Sequence, residues 1–361
     1  MPVDPPTRAG RLHGHRARRT TLPDVDGPLE TGKLPAALLA ELLRRASAGG
    51  VPELRIGPRV GEDACAIDVP AGTLVVATDP ITLAGSGGGA HAVLVNANDV
   101  AVMGVRPRWF LAVVLVPRGE RPDALRELFD DMRRALDRVG AVLVGGHTEV
   151  TDAVRQPLVV GQMLGIAETG AVIATGGARA GDVVLQVGPA PVEGAAVLAA
   201  ECPDALAPAL RRRALAGMHD PGISVVDAAL RATELGATSL HDPTEGGLAT
   251  GLHELAEAAG VALVVDETAV AWFEPGVAVC AALGADPWCT LASGALLACF
   301  PPDLADAALR ELSRGGAPAA RIGRAEPGAG VVTSAGTPLP RRERDEVVRV
   351  LEARAEARAR A

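Results

Sequence analysis

An α+β chain of two domains, the first built on a mixed sheet, is what the sequence predicts. Three observations carry this expectation. At 361 residues the chain can fill two ordinary cores. Strand-like and helix-like runs alternate too unevenly for a doubly wound parallel sheet. A glycine-rich stretch at 169–181 (TGAVIATGGARAG), without a long apolar run, separates the halves. The expected division is a disordered Arg-rich tail at 1–30, an N-terminal domain at 31–172, a C-terminal domain at 173–345 and a charged helix at 346–361 that frays.

The elements follow in order. Residues 34–50 make the first predicted helix, with Pro35 near its start and Gly49-Gly50 after its end. CAIDVP at 65–70 and TLVVATDP at 73–80 read as neighbouring strands, which leaves Asp79 at a strand end before Pro80. A flexible glycine-rich lid at 85–89 then feeds the segment that organises the chain, HAVLVNANDVAVMG at 91–104. Its Val93, Leu94, Ala97, Val100, Ala101 and Met103 follow a helical period, so the helix is buried and Asn98 and Asp99 interrupt an apolar surface. Polar groups so placed need partners. Strands are expected at 109–117 and 157–167, a charge-alternating helix at 122–139, and a strand ending in a turn at 141–150 (AVLVGGHTEV). In the second half the pattern gives a strand DVVLQVG, a helix from Glu193-Gly194, and a helix over 220–236. DPTEGG at 242–247 enters the amphipathic helix LATGLHELAEAAG, followed by VALVVDE, TLASGALLACF and a helix at 303–314.

Composition narrows the partners. A net charge of -9 disfavours nucleic acid and membrane surfaces, which select basic faces. No run of 18 uncharged apolar residues is present, so no membrane span is expected. Arg18-Arg19 is followed by Pro23-Asp24-Val25-Asp26 where an export signal needs an apolar run. Five cysteines (Cys65, Cys202, Cys280, Cys289, Cys299) without a C-x-x-C pair suit reduced thiols and a cytoplasmic location.

The chemistry is carried by carboxylates and glycines. Gly27-x4-Gly32-Lys33 imitates a P-loop, but Leu34 stands where a Ser or Thr would hold magnesium, and no strand precedes it. Gly85-x-Gly87-x-x-Ala90 resembles a dinucleotide fingerprint without the βαβ unit that would give it meaning. By contrast Glu62, Asp63, Asp79, Asp99, Glu149, Asp242 and Glu245 all fall at strand ends, glycine turns or helix starts. Each alone is an ordinary cap or turn residue. Together they suit a hard cation, because carboxylates meet a triphosphate only with Mg²⁺ between them. Gly145-Gly146 and Gly246-Gly247 let backbone N–H groups approach phosphate oxygens, and the second pair opens a helix whose dipole favours an anion. His147, between them and Thr148, is placed to bond a phosphate or the substrate.

GEDACAI, TDP, NANDVAVMG, GGHTEV and DPTEGGLATGLHELAEA, in this order and spacing over about residues 31 to 340, resemble the aminoimidazole ribonucleotide (AIR) synthase-related, PurM-like superfamily. The stretch from 242 onward is most similar to its hydrogenase-maturation HypE branch. The resemblance implies an N-terminal domain that pairs across a two-fold axis into a dimeric β-barrel and binds ATP, and a C-terminal α/β domain. It implies a Mg²⁺-dependent enzyme that transfers phosphate from ATP to an oxygen of a small-molecule or protein-borne acceptor. By motif, Asp63, Asp79 and Asp99 would hold Mg²⁺, with Asn98 beside them. Gly145, Gly146, His147 and Thr148 would line the phosphate path, with Glu149 in the same motif. Asp242 and Glu245, with Gly246 and Gly247, would close the site. Asp99, His147 and Asp242 are the expected catalytic residues. The HypE route uses a C-terminal cysteine, whereas this sequence ends EARAEARARA, so cyanide-ligand synthesis by that route is not expected. GGHTEV and DPTEGG also differ from the thiamine-monophosphate kinase patterns. A catalytically silent dimeric scaffold is the contrasting expectation.

Overall fold

The computed structural model describes residues 28–29, 32–34, 36–46, 51–56, 66–67, 69, 71–81, 88–168, 171–342 and 344–360. Asp63, Glu62, Cys65, Gly85 to Gly87 and most of the Arg-rich tail lie outside them.

The first half contains β1 (Gly32–Lys33), α1 (Ala36–Ala46), β2 (Leu54–Ile56), β3 (Ala66–Ile67), β4 (Thr73–Ile81), α2 (Gly88–Val102), β5 (Pro107–Val116), α3 (Pro122–Val139), β6 (Val142–Val150) and β7 (Leu158–Ala167). Five strands form one mixed sheet in the order β1-β6-β5-β7-β4, with β5 and β6 parallel and the other pairs antiparallel. α2 lies on β4 and β7, α3 packs on α2, and α1 on α3. α3 owes its place to sequence spacing: Leu125, Phe129, Met132, Leu136 and Val139 form one buried stripe, and Gly140 closes the helix in the left-handed region at φ 72°. α2 is apolar nearly all round and correspondingly buried on nearly all sides. The sheet's other face is only partly covered: Val51, Leu54 and Ile67 pack there on Trp109, Val144 and Ile166. Leu74, Val76 and Val113 are exposed there to 48%, 55% and 37%. Among the described residues the sheet is not closed into a barrel; β1 and β4 are its edges.

The second half contains β8 (Val183–Val187), α4 (Glu193–Glu201), α5 (Pro208–Ala216), α6 (Val226–Glu234), β9 (Ser239–His241), α7 (Gly247–Ala259), β10 (Ala262–Val265), α8 (Glu274–Leu283), β11 (Leu296–Phe300), α9 (Pro302–Ser313), β12 (Ala319–Glu326), β13 (Gly330–Thr333) and α10 (Glu346–Arg360). Its six-stranded sheet runs β13-β10-β12-β8-β11-β9, with β10 and β13 the parallel pair. Both faces are covered, so every position of β8 and β11 is buried, all of them apolar except Gln186, whose amide bonds to backbone. Val183, Leu185, Leu296 and Phe300 join the core with α4 and α6, while Val184, Leu297 and Cys299 join that of α7. α2 packs on α6, and one apolar core therefore runs through both halves.

The structure corrects several expectations. GGHTEV is not a turn: β6 continues through it to Val150. A Cβ on Gly146 would lie 2.0 Å from the Ala112 carbonyl oxygen, so the glycine serves close approach of strands. Asp79 sits inside β4, whose edge position tolerates Pro80. The helix expected over 220–236 starts only at Val226, because Pro221 and Gly222 (φ 85°) cannot continue a helical ladder. The C-terminal helix is anchored at its start by buried Val347 and Val350 rather than loose there.

Gly161 on β7 has the tightest demand near the candidate site. A Cβ there would meet the Asn96 side-chain nitrogen at 2.4 Å and the Phe110 ring at 2.8 Å. Gly161→Ala is expected to lift α2 from the sheet at a cost of about 1–3 kcal/mol, read as a lower midpoint in urea denaturation with an unchanged slope.

Candidate active site

The site starts with a clamp. The Asp79 backbone N–H donates to Asn96 Oδ1 at 2.8 Å, and Asn96 Nδ2 donates to the Asp79 carbonyl at 3.3 Å and to that of Ala92 at 2.8 Å. A fully buried amide on α2 thereby fixes the strand that carries Asp79, one turn before Asp99. Asn98 faces the other half. Its Nδ2 donates to the Ile223 carbonyl at 2.8 Å, and its Oδ1 accepts from the Val225 N–H at 2.9 Å. Both ends of that amide are engaged by backbone, so Asn98 ties the domains together.

Between these ties the carboxylates meet. Asp99 and Asp79 lie close enough for each carboxyl to feel the other, and two carboxylates offer only acceptors. Burial, the Asp242 charge and the Asp79 contact together push Asp99 up to about 9. Asp242 comes from the second half, directly after β9. Burial, with smaller contributions from Asp79 and Glu193, pushes it up to about 7 against the opposing influence of His241. Among the described residues the Asp242 Oδ2 is buried without a hydrogen-bond partner. The arrangement is an acidic pocket assembled from both domains, with Asp242 buried and Asp79 and Asp99 half-buried.

The glycine loop before α7 is occupied differently from the expectation. Gly246 and Gly247 adopt φ 77° and 69°, conformations that suit glycine. However, the Gly246 N–H donates to Asp345 Oδ2 at 2.7 Å, while Asp345 Oδ1 accepts from Val347 at 2.7 Å. Asp345, raised to about 6 by burial, is thus an internal anion at this loop and caps α10. Glu245 is exposed.

The GGHTEV residues stand apart. Asp79, Gly161, Ala112 and Gly146 form one row across four strands, which puts Gly145 and Gly146 about 14 Å from Asp79 at the usual strand spacing. His147 pairs in register with Val113, so alternation places it on the partly covered face, away from α2. There its Nε2 lies 3.4 Å from Glu149 Oε2, and both are exposed to solvent. Thr148 returns to the helix side beside Val114. The structure therefore brings Asp79, Asp99 and Asp242 together and leaves His147 and Glu149 elsewhere within one chain.

A cavity of about 700 Å³ lined by Glu53, Arg106, Arg108, Ile166 and Glu168 sits near the start of β5 and the end of β7, remote from these carboxylates. Its Arg108 is already paired with Glu53 and Glu168. Sequence reasoning missed Asn96, Glu193 and Asp345. Asn96 was findable, being a third polar residue on the same buried helix; Asp345 and Glu193 carry no local signal.

The raised Asp99 value sets a pH dependence. Its folded value of about 9 lies above the ordinary 3.8. Across that window the folded state holds the extra proton, so stability is full at the acid end and is lost as pH rises toward 9. Asp99→Asn, isosteric and uncharged, is expected to raise Tm by a few degrees at pH 8 without added metal and to change little at pH 4. Equal Tm differences at both pH values would contradict the buried charge.

Comparison with known proteins matches both halves of the chain. The N-terminal domain model of AIR synthase related proteins fits residues 61–167, and the C-terminal domain model fits residues 179–335. Carbamoyl dehydratase HypE of Cupriavidus necator is 32% identical over 276 residues, covering 73% of this chain and 77% of that protein. Thiamine-monophosphate kinase of Mycobacterium tuberculosis is 32% identical over 260 residues, covering 68% and 74%. The crystal structure of hydrogenase maturation protein HypE in complex with ATP superimposes with a TM-score of 0.73 at 27% identity, covering 86% of this chain and 95% of that one. With both halves matched and the fold shared, this chain belongs to the AIR synthase-related family of ATP-using enzymes.

Proposed function

We propose that the protein is a Mg²⁺-dependent phosphoryl-transfer enzyme that moves phosphate from ATP to an oxygen of an acceptor molecule. The observation that carries this is the Asp79–Asp99–Asp242 cluster, built from both domains. Among the described residues no three His, Cys, Asp or Glu side chains form a ready cage for a metal ion. That suits magnesium, which keeps several waters and takes one or two carboxylates plus substrate phosphates. Asp79 and Asp99 would hold it, and the orphaned Oδ2 of Asp242 fits a role on the opposite wall. When bound, the ion neutralises phosphate charge and draws the nucleotide to the carboxylates.

The chain's own residues do the rest. The Asn96 clamp fixes Asp79 relative to Asp99, so the two oxygens need little reorganisation. Asn98 holds the domain bearing Asp242 at a constant distance. Asp99, raised by burial and by Asp242, would be favoured in its ionised form by a cation held beside it. The relative solved with ATP supports the nucleotide.

The protein acts as a homodimer on this reading. Leu74, Val76 and Val113 leave an apolar strip on the partly covered sheet face, and a second copy laid on it would complete the barrel that one chain lacks. His147 and Glu149 share that face and belong to the contact or to a site formed across it.

Calorimetric titration with a non-hydrolysable ATP analogue should show binding that requires Mg²⁺, weakened at least about tenfold in Asp99→Asn, or roughly 1.4 kcal/mol. No binding at millimolar analogue, with or without Mg²⁺, overturns the reading. In sedimentation equilibrium the parent should have twice the chain mass, and Val76→Glu should return it to the monomer mass.

A further inference from the structure

Seven buried side chains carry a polar atom without a hydrogen-bond partner among the described residues, and five of them, His91, Glu193, Asp242, Thr250 and Ser293, sit on α2 or at one end of the second sheet. Native structures leave few such atoms unpaired, and a concentration of them marks a place where something else supplies the bonds. The loops after β8 and β9 and the loop before β11 all lie at that end, because β11 pairs antiparallel with both strands. Main-chain bonds knit them: Gly194 N–H to Leu291 at 2.9 Å, and Ala292 N–H to Thr244 at 3.2 Å. Glu193, Asp242 and Ser293 are exposed by only 5%, 7% and 1%. Thr250 Oγ1 lies against the same glycine loop, since a Cβ on Gly246 would meet it at 2.3 Å.

The vacant atoms share a chemistry. Glu193 Oε2 and Asp242 Oδ2 can only accept while ionised, and the Ser293 and Thr250 hydroxyls can accept as well. His91 Nε2 reaches Glu193 Oε1 at 2.5 Å, outside hydrogen-bond alignment. Even a charged imidazole would offset only one of the two carboxylates. An anion is repelled here, and a neutral apolar group would leave the acceptors bare. Among the described residues no three His, Cys, Asp or Glu side chains converge to hold a metal ion by protein ligands alone. A small cation rich in N–H donors satisfies both the charge and the open lone pairs.

We propose that these three loops form a subsite for a protonated primary amine and that, resting on the phosphoryl-transfer reading above, this amine belongs to the acceptor. The acceptor is then an amine that also carries the oxygen to be phosphorylated, with its ammonium group held by Glu193, Asp242 and Ser293. Its nitrogen keeps its protons and takes no part in bond making.

The test uses the full-length protein and methylammonium chloride at tens of millimolar, with tetramethylammonium chloride at equal ionic strength as the donor-free control. Methylammonium should raise Tm by a few degrees and the control should not. Glu193→Gln and, separately, Ser293→Ala should each remove that difference; two variants guard against one failing to fold. Identical shifts from the two salts overturn the proposal and leave these polar atoms to water. Persistence of the difference in both variants overturns it too, as does displacement of methylammonium by Mg²⁺ alone. Because this readout needs no nucleotide, it fails or succeeds independently of the ATP-analogue titration.

Discussion

The contact on which the rest of the molecule depends is the pair of hydrogen bonds from Asn98 to the backbone of Ile223 and Val225. A buried amide with either end unpaired costs on the order of 1–3 kcal/mol, so α2 is placed where both ends are met. That requirement fixes the second domain against the first, through the same helix that lies on the first sheet. Asp99 is the next residue along. Its distance from Asp242 therefore follows from an interdomain bond rather than from any contact between the two acids.

Holding like charges together in a partly buried pocket is costly, and the structure shows how that cost is limited. Burial and the neighbouring acids raise both Asp99 and Asp242, which favours their neutral forms. The resting site is thus a set of partly protonated acids held stiffly by apolar packing and amide clamps. The same logic reaches the glycine loop before α7, where Asp345 already occupies an N–H that a phosphate could have taken. Anion recognition in this chain therefore cannot be read from a glycine pair alone.

The partly covered face of the first sheet and the closed faces of the second make a physical contrast. Every strand position in β8 and β11 is buried, because helices lie on both sides. β4 instead alternates, and its outward residues Leu74 and Val76 are apolar although they face solvent. Sequence pattern reads the two cases alike, as short apolar runs. Only the layer order distinguishes a covered sheet from one awaiting a partner.

What the sequence by itself determined is what periodicity and punctuation encode: the buried helix α2, the stripe of α3 with its glycine stop, the entry to α7, and the two-domain α+β class. The acidic positions Asp79, Asp99 and Asp242 were legible too, as carboxylates flanking or interrupting apolar runs. Tertiary structure decided which of the polar residues meet. Asp79 and Asp99 are twenty residues apart and Asp242 lies in the other half, so their convergence depends on the α2–α6 packing and the Asn98 bridge. His147 was assigned to the phosphate path from its glycine neighbours, yet strand alternation turns it to the far face, a consequence of register that no local motif records. Glu193 and Asp345 gain their places only through loops brought together from distant segments. Local chemistry fixes which elements form, and long-range packing fixes which side chains share a dielectric.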